Sequence, residues 1–252
     1  LLNTVTNAGE HLEATYTKGL IYAKLGDHQA ALNEFDICTD AGLDAWEKKG
    51  NAYMHLEKFP SAIFCFKKSL FEVEDQSTLM NLGVAHLSAF NTAHAIDIFN
   101  RYIELYPTDP NGHRELGVAY LQLKEWEMAI ASLTRSLSFD SSNSVTKNHL
   151  AIAYLNQSRF AVALEYLEAV LTTDPVNILA ITDKIACLIE LERYEEAVFT
   201  IHLGLLAQPN NVTILYQQHM VMEKLGNIEA SIQSLVRILE LEQDHYTALV
   251  AL

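Results

Sequence analysis

Residues 111–140, NGHRELGVAYLQLKEWEMAIASLTRSLSFD, decide the fold of this 252-residue chain. Their apolar positions predict two short amphipathic helices joined by a tight turn, with Gly117 in the first helix and Ala129 in the second. The same pattern returns in both directions along the chain at an almost constant interval. Such a period indicates a fold assembled from repeated helical hairpins.

The period is carried by several residue types that keep one phase. A small residue of the second helix recurs at intervals of 31, 33 and then 34 residues, as Ala31, Ala62, Ala95, Ala129, Ala163, Ala197 and Ser231. Four residues later stands a bulky one, and twelve residues earlier a small one of the first helix. The bulky series is Phe35, Phe66, Phe99, Leu133, Leu167, Ile201 and Leu235, and the early small series is Gly19, Gly50, Gly83, Gly117 and Ala151. Small residues let two helices approach closely, and large ones fill the groove beside that contact.

The turns between the two helices of a hairpin follow from the same pattern. Gly26 and Gly226 fall in such turns, where a positive φ angle favours glycine. The first two intervals of the period are shorter than 34 residues, which predicts shorter turns in the first two hairpins.

Taken together, this spacing of small, aromatic and apolar residues resembles the tetratricopeptide repeat. Trp46, Gly50 and Tyr53 stand in that family's positions, and Pro107, Pro175 and Pro209 lie near the ends of their units. The resemblance covers residues 12–252 and implies an all-α, right-handed superhelical solenoid of about seven helical hairpins plus a terminal helix. The predicted repeats are residues 12–42, 43–75, 76–109, 110–143, 144–177, 178–211 and 212–245. Residues 1–11 are then an N-terminal extension or partial repeat, and residues 246–252 the start of a terminal helix or eighth repeat.

Composition narrows the classes of partner. The chain holds 32 acidic and 17 basic residues, a formal net charge of −15, which argues against nucleic acid and other polyanions. No apolar run reaches the roughly 18 residues of a membrane span, so no membrane insertion is expected. Three distant cysteines, Cys38, Cys65 and Cys187, favour a reducing compartment and a cytoplasmic location. Because the sequence begins with Leu1, we expect a fragment that could have lost a targeting segment.

The sequence carries no pattern that predicts chemistry. Among ten histidines none stands four residues from another, and no HExxH or Cys/His cluster occurs, so no metal or other cofactor is expected. Nucleophile-elbow and phosphate-loop motifs are missing as well, so we predict that the chain is not an enzyme. His86 is expected to be a packed structural residue, and the three cysteines small buried hydrophobes.

Since no catalytic pattern occurs, binding is the remaining type of function. In a solenoid the first helix of each hairpin lines the concave face. A helical wheel places there an apolar stripe, Val84–Val118–Ile152, with polar residues on both sides. The predicted partner-binding residues of this concave groove are Lys48, Asn51, Met80, Asn81, Val84, Arg114, Val118, Asn148, His149 and Ile152. Apolar groups would supply affinity, and Asn amides would fix a peptide backbone. The alternative, that these residues are only solvated or packed between helices, stays open at this point.

The resemblance implies a non-catalytic protein–protein interaction scaffold that binds a peptide or partner protein in the concave groove. A second hypothesis is a regulatory or targeting arm of a larger enzyme or assembly, for example a transferase. The apolar residues at the C-terminal end also allow self-association through the terminal helices, as in a self-assembling scaffold.

Overall fold

The computed structural model describes residues 2–72 and 75–252, and all regular structure in these ranges is α-helical. The chain divides into two compact units, Leu1–Leu123 (unit 1) and Lys124–Leu252 (unit 2). The helices of unit 1 are α1 (Leu2–Lys24), α2 (His28–Asp40), α3 (Trp46–His55), α4 (Phe59–Glu72), α5 (Gln76–Ser88), α6 (Thr92–Leu105) and α7 (Pro110–Gln122). Those of unit 2 are α8 (Trp126–Phe139), α9 (Ser144–Asn156), α10 (Phe160–Thr173), α11 (Ile178–Glu190), α12 (Tyr194–Ala207), α13 (Val212–Lys224), α14 (Ile228–Leu241) and α15 (Tyr246–Ala251).

Each unit is built from helical hairpins that stack on their sequence neighbours. In unit 1 the hairpins are α1–α2, α3–α4 and α5–α6, and the second helix of each also contacts the first helix of the next. In unit 2 the hairpins α9–α10, α11–α12 and α13–α14 follow the same rule, with α8 before them and α15 after them. Because no hairpin buries its apolar face alone, the stacking creates the core.

Glycine and phenylalanine fit together inside the hairpins of unit 1. A Cβ atom added to Gly83 would lie 2.4 Å from Cε1 of Phe99, and Gly50 stands in the same relation to Phe66 at 2.4 Å. Such distances are far below van der Waals contact, so only glycine admits these rings, which are fully buried. In unit 2 the same two positions hold Ala151 and Leu167, then Ile185 and Ile201, then His219 and Leu235. In these three hairpins of unit 2 the first helix therefore carries a residue larger than glycine, and the second helix carries one smaller than phenylalanine.

Capping side chains mark where the first helices begin. From α5 onward each of them is preceded by a residue whose side chain accepts a hydrogen bond from a backbone N–H of the first turn. These residues recur every 34 positions, as Asp75, Asp109, Asn143, Asn177, Asn211 and His245. Such caps satisfy backbone donors that a helix cannot pair itself.

A left-handed residue ends the first helix of every hairpin. Gly26 (φ 83°) and Gly226 (φ 72°) have the positive φ that the sequence predicted. Glu57, Phe90, Ser158 and Glu192 occupy the same position in the other four hairpins, and Lys124 has the same conformation before α8; these five φ angles lie between 55° and 61°. The turn geometry is thus common to all hairpins, although only two of them use glycine.

Two sequence expectations concern the turn lengths of the first two hairpins and the N-terminal residues. The first two hairpins do not have shorter turns, because residues 25–27, 56–58 and 89–91 all connect their helices with three residues. The three residues missing from the first interval lie instead in α3, which has 10 residues where α5 has 13. Residues 2–11 belong to α1, the helix that also forms the first hairpin.

Candidate functional site

The first helices of unit 1 form a row in which α3 contacts α5 and α5 contacts α7. A side-chain hydrogen bond links two of them, since Asn81 Nδ2 donates to Asn51 Oδ1 at 3.1 Å. Asn51 Nδ2 in turn donates to Glu47 Oε1 at 3.2 Å, and Glu47 also pairs with Lys48 at 2.7 Å. Three of the predicted residues, Lys48, Asn51 and Asn81, therefore belong to one polar network. We call this side of α3, α5 and α7 the first-helix face.

A depression of about 450 Å³ opens on this face between α5 and α7. Its walls include Met80, Asn81 and Arg114, three of the residues that the helical wheel selected. The Arg114 guanidinium bonds Glu115 Oε1 at 2.9 Å and Asn111 Oδ1 at 2.7 Å. It is therefore held in place at the rim, and its remaining donors can serve a ligand.

The floor of this depression is a hydrogen-bond network that the sequence did not indicate. Gln76 Nε2 donates to the Tyr102 hydroxyl at 2.8 Å and to Asp109 Oδ2 at 2.9 Å, while the Tyr102 hydroxyl also donates to Asp109. Burial and the bond to Asp109 raise the pKa of Tyr102 to about 12. Burial opposes ionisation of Asp109, but hydrogen bonds from Tyr102, Asn111 and Gln76 prevail and lower the pKa of its carboxyl. At neutral pH the floor is thus a fixed carboxylate beside a neutral phenol.

A second depression of about 450 Å³ continues along the same face toward the N-terminus. It is lined by Tyr16, Asp44, Ala45, Glu47, Lys48, Ser69, Asp75, Ser77 and Thr78. Asp75 and Ser77 line both depressions, so the two adjoin. The predicted residue Lys48 lines this second depression, whereas Arg114 lines the first. Together the depressions form one polar channel floored by carboxylates and edged by two cations.

The predicted apolar residues of unit 1 have a mixed role. Met80, Val84 and Val118 are half-buried and pack against a core cluster that contains Phe99 and Leu116. Their inner surfaces therefore contribute to packing between hairpins, as the alternative interpretation held. Their outer surfaces remain partly accessible, so they can also contribute apolar contact to a ligand.

The other three predicted residues, Asn148, His149 and Ile152, lie half-buried on α9 of unit 2. The Asn148 Oδ1 atom is buried without a hydrogen-bond partner. On α13 of the same unit, Gln217 Nε2 donates to the Thr182 backbone oxygen of α11 at 2.9 Å, while its Oε1 atom is also unpartnered. Asp183 on α11 is half-buried, and burial raises the pKa of its carboxyl. The first helices of unit 2 thus hold unused acceptors that helical spacing alone could not reveal.

His86 and the three cysteines are buried in the part of the chain that the structure describes. His86 is buried, and its ring stacks on His94 with centroids 5.4 Å apart. Cys38, Cys65 and Cys187 are buried free thiols. Burial raises the pKa of Cys65 to about 11 and that of Cys187 to about 12, which leaves very little reactive thiolate at neutral pH. Among the described residues no group of three or more His, Cys, Asp or Glu side chains could hold a metal ion.

Comparison with known families agrees with this geometry. Three models described as tetratricopeptide repeat match residues 12–40, 47–110 and 154–218, which together make up more than half of the chain. The chain belongs to the tetratricopeptide repeat (TPR) family. The predicted all-α fold of TPR-type hairpins is therefore confirmed. No curated protein matches the sequence.

Solved TPR structures share this fold at low sequence identity. YrrB, described as a TPR protein with an unusual peptide-binding site, aligns with a TM-score of 0.65 and 19% identity over 74% of this chain and 96% of its own. MamA from Desulfovibrio magneticus RS-1 aligns with a TM-score of 0.65 and 14% identity over 69% and 98%. A MamA structure from MSR-1 aligns with a TM-score of 0.60 and 21% identity over 67% and 97%. Within the residues described, no helix of this TPR chain has the length and apolar character to span a membrane.

Proposed function

We propose that this chain is a protein-interaction scaffold whose first-helix face in unit 1 binds an extended peptide. The observation that carries the proposal is the channel formed by the two depressions, because Met80, Asn81 and Arg114 converge on one of them and Lys48 lines the other. YrrB, with the same fold, is a TPR protein with a peptide-binding site. The channel needs no catalytic group to perform this role.

The polar groups of the channel suit a peptide backbone. Asn81 uses its Nδ2 atom on Asn51, which leaves its Oδ1 atom to accept a hydrogen bond from a ligand N–H. Arg114 offers N–H donors to a ligand carbonyl or carboxylate. Met80 supplies an apolar and adaptable contact between them. Backbone bonds would fix the register of the peptide, and its side chains would enter the two depressions.

The test uses peptides selected for binding and a matched pair of variants. A displayed random-peptide library is panned on the wild-type chain, and Kd values of enriched peptides are measured on Asn81→Ala/Arg114→Gln. We expect binding to weaken at least about tenfold, because each lost bond to a charged or amide group contributes about 1 kcal/mol or more. The control is Asn210→Ala/Arg237→Gln in unit 2, an exposed Arg–Asn pair joined at 2.9 Å.

Two results would contradict the proposal. One is a library that yields no peptide retained by the wild-type chain. The other is an enriched peptide that binds the Asn81/Arg114 variant as tightly as it binds the Asn210/Arg237 control. Circular dichroism of both variants establishes that each keeps its helical content, so a loss of binding is not a loss of fold.

A further inference from the structure

A second accessible surface of unit 1 lies on α4 and the adjoining side of α3. A depression of about 360 Å³ is lined by Trp46, Lys49, Tyr53, Pro60, Ser61, Phe64 and Cys65. A smaller one of about 280 Å³ is lined by Phe64, Lys67, Lys68 and Phe71. Since Phe64 lines both, the two depressions adjoin. We call this surface the aromatic–lysine face.

The aromatic residues of this face are not required by the repeat. Phe64 is 54% exposed and Phe71 is 91% exposed. In the six other repeats the position of Phe64 holds Asn33, Asp97, Ala131, Glu165, Phe199 and Gln233. The position of Phe71 holds Asp40, Glu104, Ser138, Thr172, Leu206 and Glu240. Hairpins with polar residues at both positions fold in the same way, so packing does not account for two exposed phenylalanines on α4. Exposed clusters of this kind mark sites of interaction.

The rings are arranged around the larger depression. Trp46 meets Phe64 edge to face, with centroids 6.0 Å apart and an interplanar angle of 81°. Lys49 Nζ lies 4.5 Å from the Trp46 ring centroid, and Lys68 Nζ lies 5.7 Å from that of Phe64. Two faces of the depression are therefore aromatic, and cations stand at its edge. An apolar side chain can enter between them.

The charge of this face is the reverse of the charge of the chain. Among the side chains that the structure describes, no acidic one lines either depression, although acids outnumber bases 32 to 17 over the whole sequence. Lys49 forms an ion pair with Asp36, in which Lys49 Nζ lies 2.6 Å from Asp36 Oδ1. Lys67 and Lys68 are exposed and make no ion pair with any described residue. Two cations thus remain to be matched by a ligand.

We infer that the aromatic–lysine face binds an acidic peptide segment that carries an apolar anchor residue. The anchor enters the depression between Trp46 and Phe64, and the carboxylates of the ligand meet Lys67 and Lys68. A long polyanion fits this face less well than a short segment, because the remaining charge of the chain repels it. The site is separate from the peptide channel of the proposed function and shares no lining residue with it.

The probe is a synthetic peptide of roughly 14 residues, made of Asp and Glu, with Phe as the anchor at position i+4 and flanking Leu residues at positions i and i+7. Binding to the wild-type chain is measured by fluorescence anisotropy of the labelled probe, and Trp46 emission is followed in a Trp126→Phe background. We expect Lys67→Glu/Lys68→Glu to weaken binding at least about tenfold and Phe64→Ser to do the same. Added salt should weaken the wild-type complex because the contact is partly ionic.

Matched controls separate this site from general effects. Lys24→Glu/Lys224→Glu makes the same change in net charge at two other exposed lysines and should leave Kd unchanged. Phe199→Ser removes an exposed ring at the equivalent position of α12 and should also leave Kd unchanged. Asn81→Ala/Arg114→Gln should bind the probe normally, so failure of the channel and failure of this face are distinguishable.

Three outcomes would overturn the inference. The first is equal affinity of the Lys67/Lys68 variant and the wild-type chain. The second is equal weakening by the Lys24/Lys224 control, which would reduce the effect to bulk charge. The third is undiminished binding of a probe in which Ser replaces the three apolar residues, which would leave no role for the aromatic depression.

Discussion

The fit between Gly83 and Phe99 gives a quantitative prediction about stability. A Cβ atom at position 83 would lie 2.4 Å from Phe99 Cε1, whereas carbon atoms rest at about 3.5–4.0 Å. The two helices must therefore separate, or the ring must move, by more than about 1 Å. Overpacking of this size costs about 1–3 kcal/mol, and the better helix propensity of alanine returns about 1 kcal/mol. We expect Gly83→Ala to lower the free energy of unfolding by up to about 2 kcal/mol.

The decisive measurement is a double-mutant cycle with Phe99→Leu. That change alone removes buried carbon and should cost about 1–2 kcal/mol. The double variant recreates the combination that the chain already uses at Ala151 and Leu167, both fully buried. We therefore expect it to be more stable than the sum of the single changes by at least about 1 kcal/mol. Urea unfolding is followed by circular dichroism and by Trp46 emission in a Trp126→Phe background. Single effects that add within about 0.5 kcal/mol would refute the steric argument.

Three further predictions rest on single positions. Phe90→Gly should raise the melting temperature in a thermal scan, because Phe90 is 81% exposed and its φ of 59° costs a non-glycine residue about 1 kcal/mol. The pKa of Asp109 is lower in the folded chain, so the carboxylate contributes its full stabilisation above its unfolded pKa and loses it as pH falls through the folded pKa. Asp109→Asn removes this contribution. The unfolding free energy of the variant should therefore fall less steeply below about pH 4 than that of the wild-type chain. The raised pKa values of Cys65 and Cys187 and their burial predict slow reaction with a thiol reagent at about pH 8, and a fast reaction only after urea is added.

Much of the fold follows from the sequence because packing fixes residue size at intervals of the period. A glycine is demanded by a phenylalanine sixteen residues later, and that requirement is visible in the letters. The period did not reveal the length of α3, because a short helix and a short turn remove the same number of residues from an interval. It also did not reveal five left-handed turns, since Glu57, Phe90 and Lys124 give no compositional sign of positive φ.

The candidate site, like the fold, could be predicted only in part from the sequence. Met80, Asn81 and Arg114 could be placed on one face by helical spacing, and the structure puts all three around one depression. Their role in binding stays a prediction. Gln76, Tyr102 and Asp109 escaped notice because they come from two helix starts and one second helix. Asp109 could have been identified from the series of capping residues that recurs every 34 positions, because this series places its carboxylate at the start of α7, where it lines the depression.

The two proposed sites differ in how far the repeat constrains them. Residues of the first-helix face share helices with the core, so Val84 and Val118 contribute to packing whether or not a peptide binds. Phe64, Lys67, Lys68 and Phe71 are not on the buried side of α4, and of the six other repeats only the one with Phe199 has an aromatic ring at either phenylalanine position. Substitutions on the aromatic–lysine face should therefore alter binding with little change in unfolding free energy. If Lys67→Glu/Lys68→Glu lowered the binding affinity and the free energy of unfolding together, these lysines would be structural residues and not part of a binding site.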